Sequence, residues 1–240
     1  MTYTLENIAS IVEGKIVGNG DKSIVIKDLL FDSRLLISPE NTLFFSLKSN
    51  RNNGNKYIDE LYSKGVRSFV VDNVVSESSI VDAAFIIVDD TLKALQKLAA
   101  NCRDNYDIPI VGITGSNGKT IVKEWLYQIL SPEMSVARSP KSYNSQIGVP
   151  MSVWQLNETH QIGFFEAGIS RPNEMQNLEE IISAGIRIAK EAVAEFDRIH
   201  GAMKIAEKEK KINKVDQQIS KLIKKTKAGK QTKQDYLKEV

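Results

Sequence analysis

Residues 108–120 read IPIVGITGSNGKT, an apolar run followed by a glycine-rich turn and then by Lys-Thr. The apolar run is typical of a buried parallel strand. Gly115 and Gly118 allow the backbone to turn tightly, so that its amides point inward and hold phosphate groups. A helix beginning at Lys119 adds its positive end and the Lys119 ammonium, and the Thr120 hydroxyl is an oxygen ligand suited to Mg²⁺. The stretch therefore predicts a strand, a phosphate-binding loop and a helix.

The loop differs from the general phosphate-loop pattern G-x-x-x-x-G-K-[ST]. The position five before Gly118 is Ile113, and the nearest glycine is Gly112. The simpler interpretation is a strand-to-helix turn with an exposed lysine. The strand–loop–helix context favours phosphate binding, because that is the arrangement the mechanism requires.

Composition limits the class of protein. The chain has 240 residues, of which 42% are hydrophobic, enough for one full domain and part of another. No stretch has the length and apolar character of a membrane span, and the N-terminus does not resemble a signal peptide, so we expect a cytoplasmic protein. Cys102 is the only cysteine, which excludes an internal disulfide, and its apolar neighbours predict a buried helix position.

Charge is unevenly distributed along the chain. Residues 204–240 contain twelve lysines and five acidic residues, and this surplus leaves residues 1–203 with a net charge of about −5. Ile205, Ile212 and Ile219 recur at intervals of seven, but Lys208 interrupts the stripe. We expect a basic helix here, and only a weak coiled coil. A lysine run without interleaved aromatic residues is typical of a solvated helix face, so nucleic-acid binding is disfavoured.

The remaining sequence predicts an α/β fold. In residues 1–107, Thr4 begins a helix that continues to Val12, Asp90 or Thr91 begins a helix through Cys102, and residues 57–64 have helical spacing. Strands are expected at residues 23–26, 42–47, 68–71 and 84–88. After the boundary at Pro109 we expect a helix over 119–130, a polar loop over 138–146, a short helix over 151–156 and a strand over 161–167.

Three polar features are candidates for one site: the Lys119-Thr120 loop, the loop at residues 142–146, and Glu166. Glu166 ends an apolar run, and ligands collect at the carboxyl ends of strands in open α/β sheets. Together the three offer a phosphate cradle and oxygen ligands for Mg²⁺, as phosphoryl transfer requires. Taken singly, Glu166 is more often a solvated carboxylate at a strand end, and Asn144 a turn residue.

Several motifs resemble those of the Mur ligases. They are GITGSNGKT at 112–120, YNSQIGVP at 143–150 and FFEAGIS at 164–170, and, nearer the N-terminus, FDSR at 31–34 and LFFSLK at 43–48. The order and spacing also agree. The resemblance covers residues 3–182 and is greatest to the ligases that add D-alanyl-D-alanine to a UDP-N-acetylmuramoyl peptide, including a form fused to alanine racemase.

The resemblance implies an ATP-dependent, amide-forming enzyme of peptidoglycan precursor synthesis that works through an acyl phosphate. It implies that Lys119 and Glu166 are catalytic and that Thr120 and Glu166 hold Mg²⁺. The ATP-binding loop would comprise Gly115, Ser116, Asn117, Gly118, Lys119 and Thr120. The UDP-N-acetylmuramoyl-peptide substrate would meet Ser33, Arg34 and Asn144.

The resemblance also implies a domain organisation. Residues 1–107 correspond to the Mur-type N-terminal α/β domain that receives the UDP substrate. Residues 108–183 correspond to part of the central ATP-binding domain, a parallel-sheet domain with the phosphate loop. Residues 184–240 read as a lysine-rich helical tail unrelated to the family. We therefore expect an incomplete ligase, inactive alone.

An alternative from another functional class remains open. The chain is then a non-catalytic interaction module with a Mur-like N-terminal fold. Its basic tail would dock a protein partner or mediate self-association.

Overall fold

In the computed structural model, residues 2–49, 52–73, 80–114, 118–168 and 174–182 are described. All of them belong to one compact unit. Among these residues no helix is long and apolar enough to cross a membrane.

Helices and strands are mixed along the chain, and they alternate strictly only after residue 104. Up to residue 104 they are α1 (Leu5–Ile11), β1 (Lys15–Gly18), β2 (Asp28–Leu30), β3 (Thr42–Phe45), β4 (Lys48–Ser49), β5 (Asn52–Asn53), α2 (Ile58–Ser63), β6 (Ser68–Val71), β7 (Ala84–Ile87) and α3 (Thr91–Asp104). After it they are β8 (Ile110–Ile113), α4 (Lys119–Leu130), β9 (Val136–Arg138), α5 (Gly148–Val153), β10 (Ile162–Glu166) and α6 (Glu174–Ile182). Two 3₁₀ turns, Ser33–Leu35 and Gly54–Tyr57, follow β2 and β5.

The first half is built on a five-stranded sheet in the order β1-β7-β6-β3-β2. Its strands are parallel except for β1, which pairs antiparallel with β7 at the edge. Side chains alternate between the two faces of β3, so Leu43 and Phe45 join the core beneath α1 and α3, whereas Phe44 joins the core beneath α2. The first half is therefore a sheet between two helical layers.

Polar caps fix where two of the helices begin. The Thr4 hydroxyl accepts from the backbone N–H of Asn7, and the Asn7 side chain completes a capping box. The Asp90 carboxylate accepts from the N–H groups of Leu92 and Lys93 at the start of α3. Both starts agree with the sequence-based predictions.

The second half is built on a three-stranded parallel sheet in the order β8-β10-β9. Helix α4 packs on one face of this sheet, and α5 and α6 contribute to an apolar core with Ile110, Ala137 and Phe165 on the other. Helix α3 serves both halves. Its residues Leu95 and Leu98 belong to the first core, and Ala99 belongs to the core of the second half.

Further contacts join the halves. The indole N–H of Trp154 donates to the carbonyl of Lys27 at 2.9 Å, and the Trp154 ring lies 4.9 Å from that of Tyr3. Cys102 is buried in the first core, as predicted, and burial raises the pKa of its thiol to about 11. An inert structural role follows for this cysteine.

Most predicted elements are confirmed within a few residues. The predicted strand at 23–26 is wrong, because only Val25 forms an isolated bridge, with Thr4. Strands β1, β2, β4, β5 and β9 and helix α6 were not predicted. The short helix predicted at 151–156 begins three residues earlier, at Gly148. The predicted basic helix and its heptad stripe lie outside the described residues.

Burial in α3 yields a stability prediction. Leu98 is fully buried, so Leu98→Ala should lower the free energy of unfolding by about 2–5 kcal/mol, through lost transfer energy and a residual cavity. The matched control is Leu35→Ala, because Leu35 is 49% exposed. Urea titration followed by circular dichroism measures both. Equal losses in the two variants would contradict the described packing of α3.

Candidate phosphate and metal site

Helix α4 begins next to the end of β8, where the sequence predicts phosphate binding. Gly118 precedes the helix with φ = 82°, a left-handed conformation that favours glycine. No atom of the described residues lies within 4 Å of a Cβ added there, so the backbone angle and not crowding by them favours the glycine. Lys119 and Thr120 form the first turn, at the positive end of the helix. Gly115, Ser116 and Asn117 lie outside the described residues.

Glu166 lies beside this helix start because of strand pairing. The parallel register of β10 and β8 puts Glu166 opposite Ile113, at the carboxyl end of the sheet. The Thr120 hydroxyl donates to Glu166 Oε2 at 3.0 Å. The structure thus brings together the two side chains that the resemblance assigns to Mg²⁺.

Sequence reasoning missed a third member of this cluster, Lys123. Its Nζ lies 2.8 Å from Glu166 Oε1, and both side chains are fully buried. Nζ also donates to the backbone carbonyls of Ser139, at 2.7 Å, and Lys141. The spacing of three from Thr120 is the one signal that could have placed Lys123 on the sheet side of the helix.

The oxygen atoms present suit a magnesium ion. Glu166 Oε1 is buried, and its ion pair with Lys123 lies outside hydrogen-bond geometry, so it accepts no hydrogen bond from the described residues. Mg²⁺ prefers oxygen ligands and commonly uses one or two protein side chains together with water and substrate phosphates. Glu166 and Thr120 fit that requirement. No cluster of three or more His, Cys, Asp or Glu residues forms a metal site in the described part of the chain.

Asn144 lies close to the same strand end. Its carbonyl accepts from the N–H of Gly168 at 2.7 Å, two residues beyond Glu166. A Cβ on Gly168 would lie 3.1 Å from Asn144 Cγ, so the two segments are in close contact. The predicted convergence of Thr120, Glu166 and Asn144 therefore matches the geometry.

Gln146 fixes the same loop to two helices. Its side-chain oxygen accepts from the amides of Gln96 in α3, at 2.9 Å, and Asn177 in α6, at 3.3 Å. Its amide donates to the carbonyl of Glu174 at 2.8 Å. These partners lie far away in sequence, so sequence reasoning gave no signal for them.

Ser33 and Arg34 lie at a different place, in a cavity of about 420 Å³ in the first half. Arg34 donates to Asp32 through Nε at 2.9 Å and through Nη2 at 2.6 Å. These side-chain hydrogen bonds lower the pKa of Asp32 and so keep the pair charged at neutral pH. Other lining residues are Lys48, Asn52, Gly54 and Tyr57, together with Ile147 of the second half. The segment 144–147 thus reaches both the Glu166 cluster and this cavity.

Comparison with known families agrees with these features. The model of the Mur ligase middle domain matches residues 113–232, half of the chain. The match begins at the end of β8 and continues past residue 183, where the sequence analysis put the end of the family likeness. The predicted bounds of the three domains stay predictions.

Two curated relatives carry the same name. The UDP-N-acetylmuramoyl-tripeptide–D-alanyl-D-alanine ligase of Bacillus subtilis (strain 168) is 32% identical over 178 residues, 74% of this chain and 38% of the relative. The ligase of the same name from Treponema pallidum (strain Nichols) is 32% identical over 190 residues, 76% of this chain and 41% of the relative. The chain thus spans about two fifths of the length of these relatives.

Solved structures show the same similarity. A UDP-N-acetylmuramoylalanyl-D-glutamyl-2,6-diaminopimelate–D-alanyl-D-alanyl ligase from Acinetobacter baumannii superimposes with a TM-score of 0.68 and 27% identity, over 75% of this chain and 40% of that one. The MurF ligase from Thermotoga maritima in complex with ADP gives 0.56 and 28%, over 65% and 35%. On the family match, the sequence relatives and these structures together, the chain belongs to the Mur ligase family.

Proposed function

We propose that this chain forms the nucleotide-sugar-binding and ATP-binding parts of a peptidoglycan-precursor ligase that joins D-alanyl-D-alanine to a UDP-N-acetylmuramoyl peptide. The observation that carries the proposal is the contact between Thr120 and Glu166 at the start of α4. It unites a hydroxyl and a carboxylate at a helix N-terminus that follows a parallel strand, as a nucleotide-phosphate site requires.

The chemistry divides into two steps. The substrate carboxylate attacks the γ-phosphorus of ATP, which gives an acyl phosphate and ADP. The incoming amine then attacks the acyl carbon and expels phosphate, and the amine proton is lost to a base. Both steps depend mainly on positioning and on neutralisation of phosphate charge.

This chain's residues supply that positioning for the first step. The Lys119 ammonium and the helix N-terminus would neutralise phosphate oxygens, and Gly115, Ser116, Asn117 and Gly118 would form the loop around them. Thr120 and Glu166 would hold Mg²⁺, which when bound neutralises charge on the transferred phosphoryl group. The similarity to a ligase solved with ADP supports this assignment.

The cavity around Ser33 and Arg34 suits the UDP end of the substrate. Arg34 and Lys48 bring positive charge that complements a diphosphate, and Tyr57 offers an aromatic ring. Asn144 would contact the same substrate nearer the Glu166 cluster. The names of the sequence relatives, which are ligases acting on UDP-N-acetylmuramoyl-tripeptide, support this substrate class.

The alternative interaction module depends on residues 184–240, which lie outside the described part of the chain. No contact of the described residues favours a protein partner or self-association. That alternative becomes the better account only if nucleotide binding fails.

Nucleotide binding is tested by titrating the folded chain with ATP and Mg²⁺ in a calorimeter. Lys119→Ala should weaken binding at least about tenfold, because one positive charge at the phosphates is lost. Lys97→Ala is the matched control, since Lys97 lies on α3 and pairs with Glu13. Absence of binding by the folded wild-type chain would contradict the proposed function.

The metal assignment is tested by the magnesium dependence of ADP binding. Thr120→Val keeps the side-chain shape but removes the hydroxyl, so it should weaken ADP binding in the presence of Mg²⁺ by about tenfold and leave metal-free ADP binding nearly unchanged. Thr120→Ser keeps the hydroxyl and should restore the magnesium effect. Equal losses with and without the metal would assign Thr120 to the nucleotide alone.

The substrate cavity is tested with UDP. Arg34→Ala should weaken UDP binding by about tenfold, because a charge-assisted contact to phosphate is lost. Arg67→Ala is the control, since Arg67 also pairs with an aspartate, Asp82, but does not line this cavity. Fluorescence or calorimetric titration measures both, and equal affinity of Arg34→Ala and wild type would remove Arg34 from the substrate site.

A further inference from the structure

Lys123 carries a buried charge that the sequence analysis did not predict. It lies on α4 with its side chain fully buried, whereas Ile121, Trp125 and Ile129 of the same helix are exposed. Burying an ammonium is costly unless the group is paired and hydrogen-bonded. A lysine inside a helix that leaves apolar side chains in water must therefore have a role at its buried position.

The contacts of Lys123 account for two of its donors and for its charge. An ammonium has three N–H groups. Two donate to the carbonyls of Ser139 and Lys141, and Nζ forms an ion pair with Glu166 Oε1, 2.8 Å away. Glu124 lies further off, at 3.3 Å. Glu166 is therefore the nearest carboxylate and the only buried one around this charge among the described residues.

Ser139 connects the surroundings of the Lys123 ammonium to the end of β10. Its N–H donates to the carbonyl of Phe164 at 3.0 Å, and its hydroxyl accepts from the N–H of Glu166 at 3.1 Å. Ser139 thus holds the backbone N–H of Glu166, and Lys123 pairs with the Glu166 side chain and also binds the carbonyl of Ser139.

Lys141 extends this anchor toward the substrate loop. It has φ = 51°, a left-handed conformation rare for a residue with a side chain. Lys123 holds the carbonyl of this residue, and the loop at 142–146 follows directly. One ammonium therefore fixes a carboxylate and the segment that leads into Asn144.

We propose that Lys123 is a positioning residue: it is the internal counter-ion that holds the Glu166 carboxylate against Thr120, and it joins that carboxylate to the 139–141 segment. The inference rests on the proposed function in treating Glu166 as a metal ligand. A built-in positive charge keeps the carboxylate buried and oriented whenever Mg²⁺ is absent, so that the site does not have to reorganise at each loading.

Metal-free thermal unfolding of four proteins tests the pairing: wild type, Lys123→Met, Glu166→Gln and the double variant. Lys123→Met should lower Tm by about 10 °C, because it leaves a buried carboxylate without a counter-charge. Adding Glu166→Gln should recover at least half of that loss, since it removes the unpaired charge. A role limited to holding two carbonyls would give no such recovery.

The matched control is the exposed pair of Lys97 and Glu13, whose side chains are 45% and 80% exposed. Lys97→Met, Glu13→Gln and their double should each stay within about 2 °C of wild type. The proposal is overturned if Lys123→Met stays within the same range, or if the double variant melts below both single variants. Where Lys123→Met does not fold, a folded double variant supports the proposal, and an unfolded double beside a folded Glu166→Gln overturns it.

Mg²⁺ with ADP separates this inference from the proposed function. If Lys123 substitutes for the metal's charge, Mg²⁺ and ADP should raise the Tm of Lys123→Met by more than that of wild type. An equal or smaller rise overturns the counter-ion role. No rise in wild type means that the proposed function fails, and the metal-free comparison then decides the role of Lys123 alone.

Discussion

The pairing of β10 with β8 is the constraint on which the site depends. Parallel register sets Glu166 opposite Ile113, so that the strand carrying the carboxylate ends where the phosphate-loop strand ends. Helix α4 then starts beside both, and the Thr120 hydroxyl donates to Glu166. A shift of one residue in this register would turn Glu166 to the other face of the sheet, toward the apolar core of α5 and α6. The hydrophobic alternation that packs Phe165 into that core therefore also aims the functional carboxylate.

Because the charges of Lys123 and Glu166 are buried, the stability of the cluster that they form with Thr120 depends strongly on both charges being present. Two opposite charges taken out of water attract each other strongly. The free-energy cost of removing each charge from water is, however, larger than the stabilisation that an exposed ion pair provides. Replacing the pair with apolar residues of similar size would often be neutral for stability, so stability does not explain why it is there. The fixed carboxylate that the proposed phosphate site requires would explain it. In contrast, Arg34 and Asp32 lie at the surface of the cavity proposed for the substrate, where solvent screens the Arg34 charge.

Sequence reasoning recovered features whose cause is local. The caps Thr4 and Asp90, the helix from Lys119 to Leu130 and the strand at residues 68–71 are written in neighbouring residues, and all are confirmed. The sequence of residues 23–26 predicts a strand, but a segment forms a strand only where a neighbouring strand is available for pairing. In the structure β1 pairs with β7 at the edge of the sheet instead. Strands of three residues, such as β2 and β9, carry too little pattern to detect. Lys123 was missed because lysine is normally exposed, and its partners Ser139, Lys141 and Glu166 come from other elements.

The segment 144–147 connects the two sites that we propose for one substrate molecule. Asn144 is held at the end of β10, Gln146 is held by α3 and α6, and Ile147 lines the cavity of Arg34. Helix α3, which holds Gln146 of this segment, contributes residues to the cores of both halves. Transfer of a phosphoryl group to a bound carboxylate tolerates little error in distance. Packed elements joined by one short, hydrogen-bonded segment control that distance better than two independent domains joined by a flexible linker. We therefore infer that the continuous packing through α3 contributes to the proposed catalysis by positioning the two sites.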